Sequence, residues 1–471
     1  MKLIHSIKKH HALAIALAIA VTTGFIPYGT SQAASAAGQT QAMTMQAPPD
    51  GAPNGELPPG PPPDGMPGGH GQSGKSASEL TASQVVDGQA QSLTGLTLNA
   101  TAADQSAFLV RNGGSVTLTG STLSKTGDSS SADASNFSGQ NAIFLSSNST
   151  ASLSNLNLTS NADGANAIFS TGKNSTVTAD HIKIHTKNNS SRGLDSTYGG
   201  TIQASNVDIT TEGAHCAALA TDRGEGNVIV KDARIATSGD GSPCVYSTGN
   251  IQLTNGQGEA TGSEIAVVEG KNSITLQKVD LTGYKKHGIM LYQSFSGDAS
   301  VGQATFSAKD SKLTNKSDGP MFYITNTKAT ATLENTQLVQ NGDTLVNVTS
   351  GQWGKTDKNG GNFTLNATNQ TLKGKILANN ISQVTLNLKD HAVWTGSLNE
   401  DYAADQANIS LTRQAAWNVT SDSYVTTITD ETKDFSNIIG NGHTVYYSKA
   451  DNPSLQGKTF NLRNGGKLAA K

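Results

Sequence analysis

Two cysteines among 471 residues, Cys216 and Cys244, are too few for a disulfide-built scaffold or a cysteine-ligated metal site. Zinc is not expected, because only His215 stands near them in sequence. Charged residues make up 15% and aromatics 5%. No basic stripe or aromatic platform emerges, so nucleic acid is not an expected partner. No apolar run exceeds the ten residues Ala12–Val21, well short of the roughly 20 that span a bilayer, so no transmembrane segment is expected after leader cleavage. No stretch keeps a helical period over three turns. Proline is nearly absent from the last four hundred residues, where only Pro243, Pro320 and Pro453 occur, as expected when backbone N–H groups are committed to ladders.

What is present is a repeat. A small residue, two or three apolar ones, a Gly/Asn/Ser turn and two brief alternating strands begin at Ala107 (AFLVRNGGSVTLTGSTL). The pattern returns at Ala142, Ala167, Gly193, Ala217, Cys244, Ile265, Gly288 and Met321, in steps of 35, 25, 26, 24, 27, 21, 23 and 33 residues. A fixed minimum with occasional insertions marks a solenoid, one coil per repeat, the extra residues forming loops. Strands such as Val177-Thr178-Ala179 and Ile274-Thr275-Leu276-Gln277 place Val, Ile and Leu inward and Thr, Ser and Gln outward. The fold class is therefore all-β, a right-handed parallel β-helix of about a dozen coils, its hand following the crossover rule. At roughly 4.8 Å per coil it makes a rod of about 60 Å.

The domain order follows. Lys2, Lys8 and Lys9, the apolar run and the Ala34-Ser35-Ala36 cleavage pattern predict an export signal over 1–36. Residues 37–77 form a Pro/Gly-rich spacer, with nine of the 13 prolines between 48 and 67. Residues 78–471 form the β-helix. Losing the three leader lysines takes the formal charge from −3 to −6.

The strand Ala416-Trp417-Asn418-Val419-Thr420, echoed by Val393-Trp394-Thr395-Gly396, resembles the closing coils of pertactin-type autotransporter passengers. The 24 residues after Tyr447 are too few for an outer-membrane barrel, so no translocator is expected here. The segments RGLDSTYGGTI, HCAALATDRGEG, AVVEGKNSI, LYQSFSGDA and GPMFYITNT are similar to secreted bacterial adhesin-like β-helix proteins. That resemblance implies surface exposure and adhesion, with a glycan or cell-surface protein as partner and a secreted or cell-surface location.

The alternative is a polysaccharide lyase or glycoside hydrolase on a pectate-lyase-like β-helix. Its catalytic residues would be Arg192, His215 and Asp222, since such chemistry needs charged groups in one groove. Spacing puts Arg192 and His215 at the turn entering a coil, stacked, and Asp222 and Arg223 at the turn leaving it, on another edge. Asp195, Arg223, Tyr292, Tyr323 and Trp353 are binding candidates; the aromatics serve as a sugar-stacking strip if outward and as core if inward. Cys216 and Cys244 flank the same place in successive coils and are expected as a disulfide. No cofactor is expected. Calcium has no sequence support, the repeated-Asp G-G-x-G-x-D motif being missing.

Overall fold

Alternation of apolar and hydroxylated residues is what the backbone converts into a tube. In the strand Thr176–Thr186, Val177 and Ala179 point inward, then Ile182 and Ile184 do. The change of parity occurs at His181, whose φ is +54°. Asn155, Asn206, Asp232 and Asn255 hold the same left-handed conformation in neighbouring coils. One such residue shifts the alternation by one, so both arms of a bent strand aim their apolar residues at the same core. Asn and Asp tolerate this geometry best among non-glycine residues, which explains their recurrence there.

The computed structural model describes residues 75, 76 and 79–471, all within one compact unit. The expected export signal (1–36) and all but two residues of the expected spacer (37–77) lie outside them. The described chain is a parallel β-solenoid of about 16 turns, with about 3% helix. One sheet stacks 12 short strands from Thr81–Asp87 to Lys375–Ala378. The bent strands build a second, longer sheet, with Val177 over Ile202, Val228, Ile251 and Ile274 along the tube. Sixteen turns rather than a dozen lengthen the rod to about 70 Å. Most of the turns that the repeat leaves unmarked lie beyond Met321, toward the C-terminal end. There the first sheet gives way to two four-stranded sheets, and the small-apolar repeat no longer marks each coil. The antiparallel pairing of Phe460–Asn461 with Lys467–Ala470 lies at this end.

Insertions sit where repeat spacing lengthens, but the longest is not a loop. The 35-residue step holds the helix Ala132–Ser138, capped by the Ser131 hydroxyl and ended by Gly139 at φ +73°. At seven residues it is too short for a three-turn periodicity search to find. Where coils touch most closely, side chains vanish. A Cβ on Gly239 would lie 1.7 Å from the Gly213 carbonyl oxygen, and one on Gly262 would lie 2.1 Å from that of Gly239. Among the described residues no helix is long and apolar enough to cross a membrane.

Candidate functional site

Parity decides which residues leave the core. Leu194, Leu219, Val245, Ala266 and Ile289 stack inward, so the residue after each faces out from the first sheet. That outer column reads Asp195, Ala220, Tyr246, Val267, Met290 and Tyr323. Two residues further on, a second column carries Asp222, Glu269 and Tyr292. Most of this outer face is nevertheless buried, under side chains from the helix Ala132–Ser138 and the loops around Gln293–Ala299 and Trp353.

A guanidinium organises one end. Arg192 Nη1 lies 3.3 Å from Asp195 Oδ2, and Nη2 lies 3.0 Å from Asp222 Oδ2. Nη1 also donates to Asn136 Oδ1 of the short helix at 2.8 Å. All three charged groups are at most 1% exposed. Beside them, Arg223 stacks on the Phe137 ring at 3.8 Å and donates to Asp298 Oδ1 at 2.9 and 2.6 Å. The Thr197 hydroxyl donates to the Phe137 carbonyl at 2.9 Å. These contacts fasten the helix and the loop onto the sheet.

A carboxyl organises the other end. Glu269 accepts from the Tyr246 and Tyr292 hydroxyls, each at 2.9 Å, and from the Ser294 hydroxyl. Burial, with Asp298 adding like charge, pushes its pKa above the ordinary carboxyl range against the pull of those hydrogen bonds. Trp353 packs 6.1 Å from both Tyr292 and Phe295. His287 stacks on Tyr323 at 4.1 Å, and burial with neighbouring Lys286 lowers its pKa to about 4, leaving it neutral near pH 7.

The expected division of charged turns between two edges does not hold. Arg192, Asp195, Asp222 and Arg223 converge, because Asp222, directly after the strand Leu219–Thr221, continues its outward alternation before the turn begins. His215 is the one that separates. The register puts Ala217, not His215, opposite Arg192, so the two do not stack. Tyr292 and Trp353 lie on the outer side of the sheet yet are buried, Tyr323 is partly buried, and Tyr284 and Phe295 stay exposed. Neither the inward nor the open-strip arrangement describes them. Chemically, the face offers carboxylates held by a guanidinium and an enclosed carboxyl. Among the described residues no group of three or more His, Cys, Asp or Glu is placed to hold a metal ion.

The cysteine expectation also meets a register. Pairing of Leu219 with Val245 sets Cys244 opposite Ala218 and Cys216 opposite Ser242, whose hydroxyl accepts from the Cys216 N–H at 2.9 Å. Two places along a strand and one across separate their Cα atoms by about 8 Å, beyond disulfide reach. No disulfide joins them, and both are buried. Cys216 Sγ contacts the Asn188 carbonyl at 3.2 Å, and burial pushes the Cys244 thiol up to about 12. Alkylation followed by mass spectrometry is expected to label both cysteines only after unfolding; a linked Cys216–Cys244 peptide would contradict this register.

The open surface lies elsewhere, on the long sheet. Its first arm exposes two outward columns, Thr150, Thr176, Thr201, Asn227, Asn250 and Ser273 beside Ser152, Thr178, Gln203, Ile229, Gln252 and Thr275. Only Ile229 is apolar. Along the bend and second arm runs a groove of about 1520 Å3 spanning seven coils, from Asn206 to Asn369. Sequence reading passed over Glu269, Tyr246, Asp298 and the groove. Counting by twos from each repeat's first apolar residue would have found Glu269 and Tyr246. Asp298 meets Arg223 across 75 residues, which no local pattern encodes. No family model, no curated protein and no solved structure matches the chain.

Proposed function

We propose that this chain is an exported, adhesin-like β-solenoid whose work is binding, with glycans or surface proteins as partners. The observation that carries the reading is the outward face of the long sheet: hydroxyls and amides at one-coil spacing, on a rigid rod, with almost no apolar side chain. Such a face gains affinity from many weak hydrogen bonds rather than from one pocket. The leader-like N-terminus supports a secreted or cell-surface location.

A second reading is a polysaccharide lyase or hydrolase. Asp195, Asp222 and Glu269 on one sheet face favour it, since carboxylates acting together must share a face. Their enclosure, and the pairing of Asp195 and Asp222 with Arg192, weigh against it, because a general acid or base must reach substrate.

A glycan array and a panel of immobilised bacterial and host surface proteins test the binding reading. Retention on at least one glycan or protein class is expected. Single changes such as Thr178→Ala should alter it less than about threefold, as loss of one net hydrogen bond of roughly 0.5 kcal/mol would. Joint replacement of Thr176, Thr178, Gln203 and Gln252 should remove the share of the retention that the flat face supplies. No retention on any surface would overturn the proposal.

A further inference from the structure

The groove at the bend differs from the flat first arm in being concave, long and electrically balanced. Its back is the row of left-handed residues Asn206, Asp232, Asn255, Lys278, Asp310, Asn335 and Asn369, one per coil. Seven positions at coil spacing extend over about 30 Å. Several of these side chains tie to one another along the rod: Asn255 donates to Asp232, and Asn335 to Asp310 at 2.7 Å. Each amide thereby uses a donor on its neighbour and leaves its carbonyl oxygen for another partner. The wall facing this row is the outward column Asp208, Arg234, Gln257, Asp280, Lys312 and Gln337. Lys312 and Asp280 pair at 3.1 Å. The side chains of Arg234, Gln257 and Gln337 make no hydrogen bond or ion pair within the described residues, and all three are exposed.

Charge narrows the ligand. The lining holds four acids, Asp208, Asp232, Asp280 and Asp310, against four bases, Arg234, Lys278, Lys312 and Lys373. A polyanion such as nucleic acid or a polyuronate would meet as much repulsion as attraction, and so would a polycation. No aromatic side chain lines it, so stacking supplies nothing and hydrogen bonds must. A neutral polymer rich in hydroxyls and repeating at short intervals fits. In an extended β-linked glycan each sugar advances by nearly one coil, so successive sugars meet successive equivalent side chains.

Resting on the binding reading above, we infer that the groove at the bend binds a linear, neutral, β-linked glycan lying parallel to the rod, with Arg234, Gln257 and Gln337 donating to its hydroxyls. Direct base-like chemistry is not needed, and no bond is made or broken.

The probe is a series of β-1,4-linked glucose and N-acetylglucosamine oligomers of increasing length, titrated calorimetrically against the full chain. Affinity should rise with each added sugar until the groove is filled, at about six, and should change little between low and high salt. The exposed double variant Arg234→Ala/Gln257→Ala should keep the wild-type melting temperature and lose about tenfold in affinity, as two missing hydrogen bonds would. Two results would overturn the inference. One is oligomer binding that this variant leaves intact, which would still leave the protein a binding rod on its flat face. The other is preference for a polyuronate with steep salt dependence. Failure to bind every oligomer, while array or surface-protein retention persists, rejects the groove assignment alone; failure on all surfaces rejects both readings.

Discussion

Arg192→Ala is expected to lower the stability of the rod by about 3–5 kcal/mol, because it strands two buried carboxylates without their shared cation. Asp195 and Asp222 lie within 3.3 and 3.0 Å of this guanidinium and are shielded from water. The loss also removes the Arg192–Asn136 hydrogen bond, one of the contacts that hold the helix Ala132–Ser138 on the sheet. Arg192→Lys restores charge but not the forked geometry that reaches both acids, so it should recover only part of the loss. Denaturant unfolding with hydrogen exchange across residues 132–138 and 192–225 measures both effects. A loss below about 1 kcal/mol, the range of exposed ion pairs, would show that the cluster is not a clamp.

Trp417→Ala is expected to cost a similar amount, about 3–5 kcal/mol for a fully buried tryptophan. Its ring stacks on Trp394 at a centroid distance of 5.1 Å, and its indole N–H donates to the Gly396 carbonyl at 3.0 Å. Because each coil touches only its neighbours, the damage should be local. Limited proteolysis should release fragments from beyond residue 390 while the coils between 142 and 348 stay protected. Uniform loss of protection along the chain would contradict the solenoid energetics.

The fold was legible in the sequence because repetition writes the same inward residue many times. Val177 and Ile202 occupy one core position in successive coils, and aligning the repeats finds them. The parity shift at His181 and its equivalents was harder to see, since a left-handed residue changes face without changing composition. Asp222 falls on the wrong edge when the outward alternation is stopped at the end of the strand Leu219–Thr221, and Cys216 falls within reach of Cys244 when the repeats are aligned one residue out of register, on Ala217 instead of Ala218. Contacts such as Arg223 with Asp298, and Arg192 with Asn136, join an insertion or a distant loop to the repeat. They depend on how insertions fold back, which periodicity does not specify. The groove escaped notice because its residues look like ordinary solvent-facing turns one coil at a time.

Turnover is the most direct test of binding as the protein's work. The intact chain should be incubated with neutral glycans and polyuronates, with and without Ca2+, while reducing ends and unsaturated products are counted. Retention of glycan or surface protein is expected, with no product above the protein-free control. Product formation that disappears in Asp222→Asn, with the fold retained by circular dichroism, would contradict it, since a general acid or base supplies about 10²–10⁴-fold.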